Sequence, residues 1–187
     1  WVLSNHDVIR HTTRLSYDKV PPQGDGIGPD YPQPDEALGL KRGRAASAMM
    51  LGLPGGAYLY QGEELGLPEH TMLEGSVRQD PTYFRTNGER VGRDGCRVPI
   101  PWESDQNAFG FSTTGKSWLS QPENFKNYAR ATQDGVVGST LEMYKSLLQL
   151  RKHHALGHGS LGWRNELVPA GACRGRAACD YSARPCR

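Results

Sequence analysis

An α/β fold is predicted by three runs of sequence taken in order. Residues 1–4 (Trp-Val-Leu-Ser) are a short apolar run that turns abruptly polar at Asn5-His6-Asp7, the pattern of a buried strand at its C-terminal end. Asp35 then opens a helical spacing of Ala37, Leu40, Ala45, Met49 and Leu53, which Pro54-Gly55-Gly56 stops. Residues 57–60 (Ala-Tyr-Leu-Tyr) form a second apolar run that ends in Gln61-Gly62-Glu63-Glu64. Strand, helix, strand is a parallel unit, and its polar strand ends share one rim.

The connecting segments are long. Residues 11–34 hold five prolines, including Pro21-Pro22, and no period, so a surface loop is expected there. Residues 61–138 show no sustained periodicity and are read as a very long insertion between the second strand and the next helix. Ser139 and Glu142 have capping-box spacing, and Leu141, Tyr144, Leu148 and Arg151 continue one helix face through about His154. Residues 164–187 are dominated by Arg, Ala and Cys without any period, which predicts an aberrant, disordered tail.

Composition narrows the function classes. The 187 residues include 23 Gly and 13 Pro, and only 34 are Leu, Ile, Val or Phe, so much of the chain is loop and large apolar side chains are few. A net charge of +2 with both signs interspersed argues against a nucleic-acid partner. Lys41-Arg42-Gly43-Arg44 reads as a solvated helix face. The most apolar window, 48–60, is interrupted by Gly and Pro and falls short of the ~20 residues a membrane span needs, so no membrane partner is expected. No export signal is legible ahead of Trp1, and a cytoplasmic fragment of a longer protein is the expectation. Cys96, Cys173, Cys179 and Cys186 contain no Cys-x-x-Cys and are read as free thiols.

Chemistry, if present, sits at the strand ends. Asp7 and the Glu63/Glu64 pair could place carboxylates on one rim of a parallel sheet, the arrangement used for paired-carboxylate catalysis. Acidic residues there also cap helices and pair with arginines, and spacing alone leaves both readings open. His6 could bind a hydroxylated ligand or be an ordinary hydrogen-bonded histidine. A metal site through His6, Asp7 and His11 is a weaker reading, because no pair has i, i+4 spacing. No cofactor is called for.

The wording of three segments adds to this. WVLSNHDVIRHTTRL, LPGGAYLYQGEELGLPE and GRDGCRVPIPW resemble, in order and separation, the late regions of family 13 glycoside hydrolases, and most closely the α-glucosidase and oligo-1,6-glucosidase branch in its actinobacterial form. The resemblance runs from residue 1 to about 163. It implies the C-terminal part of a (β/α)8 TIM barrel. Residues 1–7 and 57–61 would be strands 7 and 8, and residues 139–154 the eighth helix. The insertion 61–138 would lie over the active-site mouth, and 155–163 would begin a C-terminal β domain.

The same resemblance implies roles. Asp7 is the carboxylate that grips sugar hydroxyls in the −1 subsite and stabilises the transition state, and His6 is its neighbouring contact. Arg93 helps fix the terminal glucose, and Glu63 makes an aglycone contact. The nucleophile and the general acid belong to strands 4 and 5 of the family barrel, neither of which lies in this sequence, so the chain by itself is expected to be inactive. The implied activity of the whole enzyme is retaining hydrolysis of terminal α-linked glucose from short oligosaccharides such as maltose or isomaltose. Alternatives are a glucosyl-transferring isomerase (sucrose isomerase or trehalose synthase) and a non-catalytic sugar-binding remnant.

Overall fold

In the computed structural model, which describes residues 1–164 and 178–182, the two apolar runs lie side by side in parallel, joined by a single bridge between Val2 and Tyr58. The Tyr58 N–H donates to the Trp1 carbonyl at 2.9 Å, and the Trp1 amino group donates to the Gly56 carbonyl at 2.6 Å. The runs were expected to be buried strands, yet Trp1, Val2, Tyr58 and Leu59 are exposed. Parallel strands depend on neighbouring strands and on cover over both faces. Here one layer, through Leu3 and Ala57, packs against Met50, Leu51 and Tyr144 of the helices.

The helix between them is α2 (Glu36–Gly52), and the Asp35 side chain caps it by accepting the Leu38 N–H at 2.9 Å. Its buried face differs from the apolar spacing. Ala37, Ala45 and Met49 are exposed, and the buried positions are Gly39, Gly43, Ser47, Met50 and Leu51. The cause is α1 (His11–Arg14), a buried helical turn where a surface loop was expected. The two helices approach so closely that a Cβ on Gly43 would lie 2.8 Å from Thr12 Cγ2, and one on Gly39 would run into the Thr12 carbonyl. Small residues make this contact, and an apolar pattern does not register them.

Helix α5 (Thr140–His153) starts as expected, with Ser139 Oγ accepting the Glu142 N–H at 3.2 Å. The Glu142 carboxylate accepts from Gly135 N at 2.9 Å, so it ties down the preceding turn. Tyr144 is buried, and its hydroxyl donates to Ser47 Oγ at 2.6 Å. Arg151, on the same helix, donates to the carbonyls of Leu51 at 2.8 Å and Leu53 at 2.6 Å, and also to that of Gly55. A cation thereby covers the carbonyl end of α2, where the helix dipole is negative.

The insertion 61–138 is built of 3₁₀ turns and two short helices, α3 (Pro81–Arg85) and α4 (Arg130–Gln133). It holds the larger apolar cluster of the described residues: Leu65, Leu67, Leu73, Val98, Ile100, Leu119 and Phe125. Each such side chain stabilises by roughly 1.5–3 kcal/mol when buried. Residues 61–138 therefore form a packed body that follows the second apolar run.

After α5, β1 (Ser160–Arg164) pairs antiparallel with β2 (Ala178–Ser182), Leu161 standing opposite Tyr181 and Trp163 opposite Cys179. Of the tail, Arg164 and residues 178–182 are described, and only through this backbone pairing. Cys173, Cys186 and the remainder of the tail lie outside the described residues. Among the described residues, no helix is long and apolar enough to cross a membrane.

Candidate active site

The first apolar run ends in a tight turn, because the Asn5 side-chain oxygen accepts the Asp7 N–H at 2.8 Å. This Asx turn brings the His6 ring and the Asp7 carboxylate together, with His6 Nε2 3.3 Å from Asp7 Oδ2. The other oxygen, Oδ1, accepts from Arg93 Nη1 at 2.6 Å and from Arg97 Nη2 at 3.5 Å. Both arginines come from the Arg-Asp-Gly-Cys-Arg segment, whose 3₁₀ turn Asp94–Cys96 projects them to the same side.

Behind Arg93 stands a residue that the sequence did not single out. Asp80 is fully buried and caps α3 by accepting the Thr82 N–H at 2.9 Å. Its Oδ2 also accepts from Arg93 N at 2.9 Å and from Arg93 Nε at 2.6 Å. Burial acts to raise the Asp80 pKa, but the Arg93 side chain and the N–H groups of Thr82 and Arg93 outweigh it and hold the carboxyl well below the usual range. Hydrogen bonding to Asp80 in turn raises the pKa of Arg93. Gly92 is required here, since it has φ +74 and a Cβ on it would lie 2.8 Å from Asp80 Cβ.

Asp94, buried beneath this pair, accepts the N–H groups of Gln79 and Asp80 at 2.7 and 2.8 Å and lies 3.7 Å from Arg97 Nη1. Three carboxylates, Asp7, Asp80 and Asp94, thus face two guanidiniums, Arg93 and Arg97. Asp7 is the half-open member of this cluster, at 43% side-chain exposure, whereas the Asp80 and Asp94 side chains are almost wholly enclosed. A half-open carboxylate flanked by fixed donors suits the vicinal hydroxyls of a sugar.

Glu63 does not belong to this cluster. It was expected as a substrate contact, yet it is buried at 2% exposure, turned inward by the 3₁₀ turn Glu63–Leu65 that follows Gly62 at φ +86. Its Oε1 lies 3.6 Å from His11 Nδ1, and neither carboxylate oxygen has a hydrogen-bond partner among the described residues. Burial pushes the Glu63 pKa up to about 7, and burial, assisted by Arg14 and Arg10, pushes His11 down to about 4. The structure brings His6, Asp7 and Arg93 together with Asp80, Asp94 and Arg97, and it places Glu63 apart from them. Arg97 had a legible signal, as the second arginine of the same motif. Asp80 had only its position before Pro81, a helix-start signal.

Comparison with known proteins identifies the family. The catalytic-domain model of the alpha-amylase family matches residues 1–159. A probable alpha-glucosidase of Rhizobium meliloti (strain 1021) is 34% identical over 162 residues, which is 86% of this chain and 26% of that protein. An oligo-1,6-glucosidase of Parageobacillus thermoglucosidasius is 34% identical over 125 residues, 57% of this chain and 21% of that protein. Among solved structures, the alpha-glucosyl transfer enzyme XgtA superposes with a TM-score of 0.67 at 31% identity, over 90% of this chain and 28% of its own. The chain spans about a quarter of the length of the curated relatives it matches. With its motifs, its half-open carboxylate cluster and a family match over most of its length, the chain belongs to the alpha-amylase family of glycoside hydrolases, family 13, within the catalytic domain.

Proposed function

We propose that this chain is the C-terminal part of the (β/α)8 barrel of a retaining α-glucosidase, with residues 1–7 as strand 7, residues 57–61 as strand 8 and α5 as the eighth helix. Asp7 is the transition-state-stabilising carboxylate of the −1 subsite, His6 is its neighbouring sugar contact, and Arg93 orients the terminal glucose. The observation that carries this reading is Arg93 fixed between Asp80 and Asp7, at 2.6 Å from each. A guanidinium locked on a buried carboxylate is an immobile donor beside an open one, and this preorganisation favours a distorted sugar over a relaxed one.

Bond making and breaking require a nucleophile and a general acid about 5 Å apart. In the proposed enzyme these come from strands outside this chain. The substrate class is an oligosaccharide or glucoside with a terminal α-linked glucose, as in maltose or isomaltose. The test is the full-length enzyme acting on a nitrophenyl α-glucoside and on maltose, with the anomer of the first-released glucose read by NMR. Release of α-glucose supports the reading, and absence of turnover on any α-glucoside overturns it in favour of a non-catalytic sugar-binding protein.

The similarity to an alpha-glucosyl transfer enzyme favours one second reading, transfer of glucose to another sugar hydroxyl. Product analysis separates the two: hydrolysis yields free glucose in step with substrate loss, and transfer yields new disaccharides or longer products.

A further inference from the structure

Arg10 is among the largest wholly buried side chains of the described residues, at 1% exposure, and it stands three residues after Asp7. Its Nη1 donates to the Gln61 carbonyl at 2.6 Å and its Nη2 to the Cys96 carbonyl at 2.9 Å, while its carbon Cζ lies 5.1 Å from the centre of the Tyr60 ring. Its backbone N–H donates to Glu69 Oε2 at 2.9 Å. Together with the Tyr60 hydroxyl, which donates to the same Cys96 carbonyl at 3.1 Å, this side chain joins the end of the second apolar run to the turn that carries Arg93 and Arg97. That turn is itself tight, for both the N–H and the thiol of Cys96 donate to the Arg93 carbonyl, at 3.2 and 3.0 Å.

A buried guanidinium is a poor choice for stability alone. Desolvation of the charge is costly, and an apolar side chain of similar volume often serves a fold better. Here the fork is directed at two carbonyls on segments distant in sequence, and Nε is left without a partner among the described residues. This arrangement fixes relative position.

We propose that Arg10 is a positioning residue for the sugar site, holding the Cys96 carbonyl so that Arg93 stays in register with Asp7. The inference rests on the α-glucosidase reading above. Arg10 touches no sugar and acts through Cys96 on Arg93. Displacing a substrate-orienting group by about 1 Å is enough to cost on the order of a hundredfold in rate.

The test uses the full-length enzyme with Arg10→Met and Arg10→Lys, each made in the wild-type background and in an Arg93→Ala background. We expect Arg10→Met to remain folded and to lower kcat/KM at least about tenfold, and Arg10→Lys, which lacks the fork for two carbonyls, to fall in the same direction. In the Arg93→Ala background the same substitutions should change kcat/KM by less than about twofold, because the group they misplace is already gone. Effects that multiply in full across the two backgrounds, or an Arg10→Lys enzyme within about twofold of wild type, overturn the proposal. If Arg10→Met fails to fold, Arg10→Lys decides by the same criteria. A wild-type enzyme without α-glucosidase activity defeats the functional reading itself and this inference with it. An active wild type with multiplicative effects defeats the role of Arg10 alone.

Discussion

Arg93 and Asp80 form a fixed pair, the arginine's backbone N–H and its Nε both donating to one carboxylate oxygen at 2.9 and 2.6 Å. That pairing leaves Arg93 Nη1 for Asp7, 2.6 Å away. The orientation of the open site is therefore set by a carboxylate that no substrate reaches.

Asp80→Asn should destabilise the full-length enzyme by about 1–3 kcal/mol at neutral pH, since it weakens buried charge-assisted hydrogen bonds. Because the folded-state pKa of Asp80 is depressed, its contribution is complete above the unfolded value of about 3.9 and is lost as the pH falls below that. The Tm difference between wild type and variant, followed from pH 7 down to pH 3, should shrink below about pH 4.

Asp7→Asn keeps the size of the side chain and removes its charge. If Asp7 stabilises an oxocarbenium-like sugar, kcat should fall at least about a hundredfold, with KM little changed. Arg93→Lys should lose the reach to Asp80 and Asp7 at once and show a large part of its effect in KM. Steady-state kinetics on maltose and isomaltose check both, and an Asp7→Asn enzyme with near-normal kcat would place the stabilising carboxylate elsewhere.

Glu63 carries a pH signature of opposite sign. With its folded pKa raised to about 7 by burial, the unfolded chain ionises first, and stability is lost progressively as the pH rises from about 4 to about 7. Glu63→Gln should therefore stabilise the enzyme by roughly 2–4 kcal/mol at pH 8 and change little near pH 4. Thermal melts at the two pH values measure this directly.

Gly43→Ala improves helix propensity by about 1 kcal/mol, yet its Cβ would press on Thr12, so a net loss of about 1–3 kcal/mol is expected. Gly52→Ala, at the end of the same helix with nothing within 4 Å, should instead raise the Tm. Differential scanning calorimetry of the pair separates packing from propensity.

The chain on its own should show no release of nitrophenol from a nitrophenyl α-glucoside, and it should aggregate. Trp1, Val2, Tyr58 and Leu59 form an exposed apolar rim on an open pair of strands, with Tyr58 at 72% exposure. Turnover that survives stringent purification, or a sharp melt with a monomeric elution volume, would contradict this.

The elements with strong local signals were legible in the sequence. Asp35 and Ser139 cap the helices as their side chains predict, and the Asn5-His6-Asp7 and Arg-Asp-Gly-Cys-Arg segments meet, although 86 residues separate Asp7 from Arg93. What escaped was set by tertiary contact. The buried face of α2 is made of Gly39, Gly43 and Ser47, which carry no apolar signal, and α1 is a single helical turn, too short to show a period. Asp80 resembled any helix cap. Glu63 read as a rim carboxylate because sequence gives no side-chain direction, and the backbone at Gly62 turns it inward.

The insertion is fastened to the first strand end by named polar threads. Besides Arg10, Arg97 Nε donates to the His6 carbonyl at 2.9 Å, and Thr12 Oγ1 donates to the Leu67 carbonyl at 2.8 Å. Residues 6–12 and 61–138 are thus tied together across an intervening loop, helix and second apolar run. Recombination between family members that exchanges 61–138 alone would deliver a well-packed cap with mismatched anchors, whereas a crossover carrying 6–12 as well would transplant the site with its mount.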